Sequence, residues 1–183
     1  MALQPGKTLE VGIGNGVVSH VLHQAGVNVT RMDFDESLEP DVVAEVTEMP
    51  FADGAFDIVA CFEVLEHLPF DLVPQALREL CRVSRAHVLF SVPDWDHDLR
   101  MEVCLPGLGR RRLRFSLPRL VRCTLACRRH YWEIGANGCS LERLIQEIEA
   151  AGLRIVETYR AWELSYVRFF RLRKPARESG HEH

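Results

Sequence analysis

Thr8-Leu9-Glu10-Val11-Gly12-Ile13-Gly14-Asn15-Gly16-Val17-Val18 is a short apolar, β-favouring run that ends in glycines and passes at once into an amphipathic segment. It reads as a strand, a tight turn and a helix. Glycine lets the chain turn sharply and keeps a Cβ from standing between backbone and ligand, while the following helix offers unpaired N–H groups and a positive dipole end. A nucleotide-like ligand fits such a turn. A ligand-free strand-to-helix turn would carry the same glycines, so the residues further along have to decide.

The dinucleotide fingerprint Gly-x-Gly-x-x-Gly would need glycine where Val17 stands. The chain instead reads Glu-x-Gly-x-Gly-x-Gly from Glu10 to Gly16, which resembles motif I of the class I S-adenosylmethionine-dependent methyltransferases. The resemblance continues through Val27-Asn28-Val29-Thr30-Arg31-Met32-Asp33, Met49 to Asp57, and Cys61-Phe62-Glu63-Val64-Leu65-Glu66-His67-Leu68. It covers about the first half of the chain and is closest to the type 11-like methyltransferase domain. It implies an α/β, Rossmann-like doubly wound sheet of seven strands in order 3-2-1-4-5-7-6, the last antiparallel, in a three-layer α/β/α arrangement. It also implies S-adenosyl-L-methionine as cofactor and S-adenosyl-L-homocysteine as product.

The elements follow from pattern. Thr8 to Val11 is strand one, and the helix from Val17 to Gln24 stops at Gly26. Val27 to Met32 alternates and ends at Asp33, about twenty residues after the glycine turn, where a carboxylate can accept both ribose hydroxyls. The loop composition of Asp33-Phe34-Asp35-Glu36-Ser37 also suits a turn or helix-capping aspartate. Little room separates Asp33 from a third strand at Asp41 to Glu45, so a single helical turn around Ser37 to Glu39 is expected. Phe56 to Phe62 is almost unbroken apolar sequence, as in a strand buried on both faces. Val73 to Val83 has helical period, His87 to Val92 is strand five, and Ser140 caps a helix to Ala151 with Leu141, Leu144, Ile145 and Ile148 inward. Leu153 to Thr158 and Tyr166 to Leu172 complete the sheet.

At 183 residues, 47% hydrophobic and 26% charged, the chain suits one domain, expected over 1–174, with a basic insertion at about 94–138 and a disordered tail over 175–183. The first residues lack an apolar signal core and no stretch nears a membrane span, so a soluble, cytoplasmic protein is expected. Six cysteines without framework spacing are read as reduced thiols. The net charge of -4 excludes a wholly basic nucleic-acid binder, although arginines crowd Arg100 to Arg129, where Glu102 is the only acid. Leu117 to Arg129 is read as a short amphipathic helix. Strand one starts within ten residues of the beginning, where the family commonly has a helical cover. Either the arginine-rich insertion covers the acceptor site alone or the chain is a shortened form.

The resemblance implies that Glu10, Gly12, Gly14, Gly16, Asp33, Phe34, Glu45, Val46, Phe62 and Glu63 hold the cofactor, with Glu10 fixing the loop and facing the methionine ammonium. Glu45 would lie near the adenine amino group and the Val46 N–H on the ring. Each also has a structural reading, as a strand-end or loop residue. His130 and His67 are the candidate general bases, since imidazole titrates near neutral pH; a lone histidine is more often structural, and that is the competing reading for each. The acceptor is expected to be a small molecule, with RNA or protein as alternatives; the Asn/Asp-Pro-Pro-Tyr/Phe signature of many amine-methylating enzymes is absent. A non-catalytic S-adenosylmethionine-binding or RNA-binding module working through Arg110 to Arg114 is the competing class, and a nicotinamide oxidoreductase a weaker third. Cys123, Cys127 and His130 have a ligand-like spacing without a fourth partner, so no metal is expected.

Overall fold

The computed structural model describes residues 6–95, 98–105, 107, 109–116, 130–136 and 138–175. The expected helix over Leu117 to Arg129, with Cys123 and Cys127, and the tail from 176 onward lie outside the described residues. In chain order the elements are β1 (Lys7–Val11), α1 (Val17–Gln24), β2 (Asn28–Asp33), β3 (Val42–Val43), β4 (Phe56–Phe62), α2 (Val73–Val83), β5 (Ser84–Pro93), β6 (Asp98–Leu105), β7 (Gly109–Ser116), α3 (Leu141–Ala150), β8 (Arg154–Arg160) and β9 (Val167–Arg173). A 3₁₀ turn at Glu36–Leu38 occupies the β2–β3 connection.

Seven strands form one sheet in the order β3-β2-β1-β4-β5-β9-β8, with β9 antiparallel to β5 and β8. This is the expected 3-2-1-4-5-7-6 arrangement. β1 sits between β2 and β4 with Val11 opposite both Met32 and Cys61, so the three strands end at one level and their following loops open on the same edge. The order also reverses here. The crossover from β1 to β2 runs one way along the sheet and that from β4 to β5 the other, and right-handed crossovers then place α1 and α2 on opposite faces.

Those faces are covered unequally. Leu9, Val11, Val59, Cys61, Val88 and Phe90 share a core with Leu77 and Leu80 of α2 and Leu144 and Ile148 of α3. Phe90 stacks on Phe170 with centroids 4.6 Å apart. On the other face Glu10 is only 2% exposed, and α1 buries Ser19 rather than its valines. Alternation along β1 explains the difference, because Leu9 and Val11 point one way and Thr8 and Glu10 the other.

Three details differ from expectation. β3 keeps two residues, since its connection to β2 is short and extended. β5 begins at Ser84, not His87, because α2 passes straight into it; the Lys174 ammonium donates to the Cys81 and Ser84 carbonyls at 2.9 and 3.1 Å and satisfies the helix end. Within the insertion, β6 and β7 form an antiparallel hairpin, Met101 opposite Leu113 and Glu102 opposite Arg112. Gly107 and Gly109 supply positive φ at its tip. Arg112 lies over the Trp162 ring and bonds Glu102 at 3.0 Å.

Arg82 fastens the loop that precedes β4. Its guanidinium donates to the Phe51 and Met49 carbonyls at 2.6 and 2.9 Å and to both Glu79 oxygens, while Glu79 accepts the Met49 N–H at 2.8 Å. Hydrogen bonds to charged groups contribute about 1.5–3 kcal/mol each. Arg82→Met is expected to cost roughly 2 kcal/mol, read as a lower urea midpoint, and Arg82→Met with Glu79→Gln should cost less than the two singles added.

Burial pushes the Glu10 carboxyl above its ordinary value, against an opposing hydrogen bond from Ser19. The folded chain therefore holds a proton that the unfolded chain releases near 4.5. That contribution is complete below the unfolded value and is lost as pH rises through the raised one. Melting curves from acid to neutral pH should show Glu10→Gln losing less stability than the wild type over this interval. An unchanged slope would remove Glu10 from the account.

Candidate functional site

The loop after β1 is shaped by glycines in the left-handed region, with φ of 77° at Gly12, 49° at Gly14 and 74° at Gly16. A Cβ on Gly12 would stand 2.2 Å from Cγ2 of Val64, so this position needs glycine for space as well as for conformation. A Cβ on Gly14 would meet no protein atom, and Gly14 lines an open cavity. The Gly12 N–H donates to the Met32 carbonyl at 2.9 Å. Asp33, 6% exposed, completes the tie: Oδ2 accepts the Ile13 N–H at 2.8 Å and Oδ1 the Asp35 N–H at 3.0 Å. A carboxylate has about four lone-pair sites, so each oxygen keeps capacity for one further donor.

The cavity has a volume of about 870 Å³, within the range of small-molecule and cofactor sites. Gly12, Gly14, Asp33, Phe34, Glu45, Val46, Phe62 and Glu63 line it, and so does His67. Met32, Leu38, Ala44 and Leu68 add apolar wall. Glu10, Gly16 and His130 are not among its lining residues. Glu10 instead packs under α1, and Gly16 is the residue that starts that helix. Both shape the loop from behind.

At the end of β4 the backbone turns abruptly at Glu63, whose φ of 55° is a strained, left-handed value for a residue with a side chain. Its Oε1 accepts the Ser91 hydroxyl at 2.7 Å, and its N–H donates to the Ser91 carbonyl. Burial raises the Glu63 carboxyl above its ordinary value. Three residues on, Glu66 is fully buried, and burial, followed by the neighbouring Glu63, pushes it up to about 8.

Residues 130–136 run beside this turn. The Trp132 indole N–H donates to the Leu65 carbonyl at 3.1 Å, the Tyr131 N–H to the Glu66 carbonyl at 2.8 Å, and Ile134 bridges to Asp94 beyond β5. His130 is thereby set against His67, the rings crossing edge to face at 5.0 Å. Its Nδ1 lies 2.6 Å from Oε1 of Glu133, which is 2% exposed. Taking the Glu133 carboxylate as the acceptor assigns the hydrogen to Nδ1 and leaves Nε2 with a lone pair. The sequence singled out both histidines as candidate bases and gave Glu66 and Glu133 no role of their own. The three-residue interval from His130 to Glu133 was the available signal.

Two arginines of β7 are engaged within the chain. Arg110 and Arg112 bond Glu102 at 3.1 and 3.0 Å, and Arg112 reaches Glu163 at 3.4 Å. No helix among the described residues is long and apolar enough to cross a membrane.

Residues 9–92 match the family model described as a methyltransferase domain. The ubiquinone biosynthesis O-methyltransferase of Bordetella avium is 36% identical over 83 residues, covering 37% of this chain and 34% of that protein. The chain thus spans about a third of the length of that curated relative. Two solved structures share the fold. The 1,6-didemethyltoxoflavin-N1-methyltransferase of Burkholderia thailandensis, with 1,6-didemethyltoxoflavin and S-adenosylhomocysteine bound, is 16% identical with a TM-score of 0.60, covering 93% of this chain and 71% of that one. An S-adenosylmethionine-dependent methyltransferase from Mesorhizobium loti is 14% identical with a TM-score of 0.61, over 91% and 90% of the two chains. The methyltransferase-domain model thus matches this chain through strands one to five, and the likeness to the two solved structures extends the shared fold over the rest of the sheet.

Proposed function

We propose that the chain binds S-adenosyl-L-methionine in the cavity at the ends of β1, β2 and β4 and transfers its methyl group to an oxygen of a small-molecule acceptor. The convergence of the Gly12–Gly14 loop, Asp33, Glu45 and Glu63 on one cavity carries this reading. The free lone pairs of Asp33 take the ribose hydroxyls, and Glu45 and Val46 face the adenine. Glu63 lies on the methionine side. The choice of oxygen follows the O-methyltransferase relatives.

When bound, the sulfonium supplies an already activated methyl group. The protein's task is orientation and exclusion of water, and holding nucleophile and methyl in line accounts for about 7–11 kcal/mol of such a barrier. As the C–O bond to the methyl group formed and the methyl–sulfur bond broke, with S-adenosylhomocysteine leaving as the neutral thioether, the acceptor's hydroxyl proton would pass to Nε2 of His130, whose ring Glu133 holds and whose positive charge it would offset. His67 stands at the cavity wall and meets the His130 ring.

Two experiments test the reading. S-adenosylhomocysteine at a hundredfold over its Kd should stabilise the protein by about 2.7 kcal/mol, and NAD should not. Asp33→Ala should weaken this binding by tenfold or more and also lower the melting temperature, because the Ile13 and Asp35 N–H groups lose their acceptor; Asp35→Ala should do less to binding. A stronger response to NAD in calorimetry would overturn the cofactor assignment. His130→Ala should leave S-adenosylhomocysteine affinity within about twofold and lower methyl-transfer kcat by about a hundredfold, the usual loss for a general base. If the variant is destabilised yet turns over normally, His130 is a packing residue.

A further inference from the structure

Glu66 is 0% exposed, and neither of its carboxylate oxygens has a hydrogen-bond partner. Burying such a group without a partner is costly, and native structures seldom do so without a reason. What faces it is informative. One donor atom from Glu66, one from His67 and one from His130 all lie within 4.8 Å of one another. The His130 ring already gives Nδ1 to Glu133 at 2.6 Å, which leaves Nε2 free and fixes its direction. A histidine backed by a carboxylate in this way is the usual outer arrangement of a metal-bound imidazole. The second oxygen of Glu133 is likewise buried without a partner.

We propose that Glu66, His67 and His130 form a divalent-cation site at the wall of the cavity. Two imidazole nitrogens and one carboxylate suit zinc and neighbouring first-row ions, whereas magnesium takes oxygen donors. Bonds of about 2.0–2.2 Å bring donors closer together than 4.8 Å, and His67, the exposed member of the three, is the ligand that closes that distance. Glu66 and His130 are held from behind by the Leu65–Trp132 and Glu66–Tyr131 hydrogen bonds, so the site is preformed on two of its three sides. Three protein ligands leave a position open, and His67 places that position beside the cavity. An acceptor hydroxyl bound there would lose its proton more readily, with the ion taking over the activation that His130 Nε2 performs alone in the metal-free protein. This last consequence rests on the methyl-transfer reading; binding of the ion does not.

The full chain, stripped with a chelator, is titrated with Zn²⁺ by calorimetry and with Co²⁺ by visible absorption. One equivalent is expected, with the d–d bands of a four- or five-coordinate ion. Glu66→Gln, His67→Ala and His130→Ala should each weaken binding at least tenfold, while Cys123→Ala with Cys127→Ala, and His181→Ala with His183→Ala, should leave it unchanged. Glu66→Gln is nearly isosteric and His67 is exposed, so both variants keep the fold, checked by circular dichroism. Absence of Co²⁺ binding, or binding indifferent to Glu66→Gln and His67→Ala, overturns the proposal, as does binding lost only with the cysteines or the terminal histidines. S-adenosylhomocysteine titrated into wild type and Glu66→Gln separates the two readings: affinity within twofold in both leaves the cofactor assignment standing whatever the metal result, and failure in both strikes that assignment alone.

Discussion

One carboxylate sets the geometry from which the site is built. Asp33 takes the Ile13 N–H on one oxygen and the Asp35 N–H on the other, joining the loop after β1 to the end of β2. The loop needs such a tie, because its glycines sit at positive φ and have no side chains to hold them. The second tie, from the Gly12 N–H to the Met32 carbonyl, is one residue away on each strand. Together they fix the loop's height above the sheet edge. The ligand-facing role proposed for Asp33 thus falls to the same two atoms that hold the loop.

The unequal cover of the two sheet faces gives this arrangement its mechanical setting. The face under α2 and α3 is apolar and dense, and the strands that position Asp33 and Glu63 are anchored there through Met32, Val59 and Cys61. The face under α1 is thin and polar. Thr8 Oγ1 and Glu10 Oε2 are buried there without hydrogen-bond partners. A dense face holding strand ends rigid beside a thinner face under the loop agrees with the general tendency of binding loops to lie at the less stable end of a structure.

Much of this was legible in the chain because backbone constraints leave local signatures. Phe56 to Phe62 had to be a doubly buried strand, and the glycines at 12, 14 and 16 could only be a turn. The β6–β7 hairpin was not legible, since its prolines, glycines and arginines hide a period-two alternation that packs against little core. The cluster at Glu66 was harder still. The return of 130–136 to the end of β4 is held by Trp132, which finds both a buried slot and the Leu65 carbonyl. The proposed cofactor residues follow strand ends in register, whereas the proposed acceptor side depends on a long-range contact.

Charge narrows what the cavity can hold. Asp33, Asp35, Glu45 and Glu63 line it, while Arg31 and Arg82 are engaged with Asp41 and with Glu79 and Asp53. A dinucleotide would bring a pyrophosphate into this acidic wall. It would also need the first N–H groups of α1, yet the Val17 N–H already donates to Asn15 Oδ1 at 3.3 Å, and no lysine or arginine is among the described residues that line the cavity. S-adenosylmethionine carries a sulfonium and an ammonium against a single carboxylate, and is cationic overall. Carboxylates in a concave, partly apolar site favour a cation and repel a polyanion. Glycine turns of similar appearance serve both kinds of ligand, and here the acids around the turn select between them.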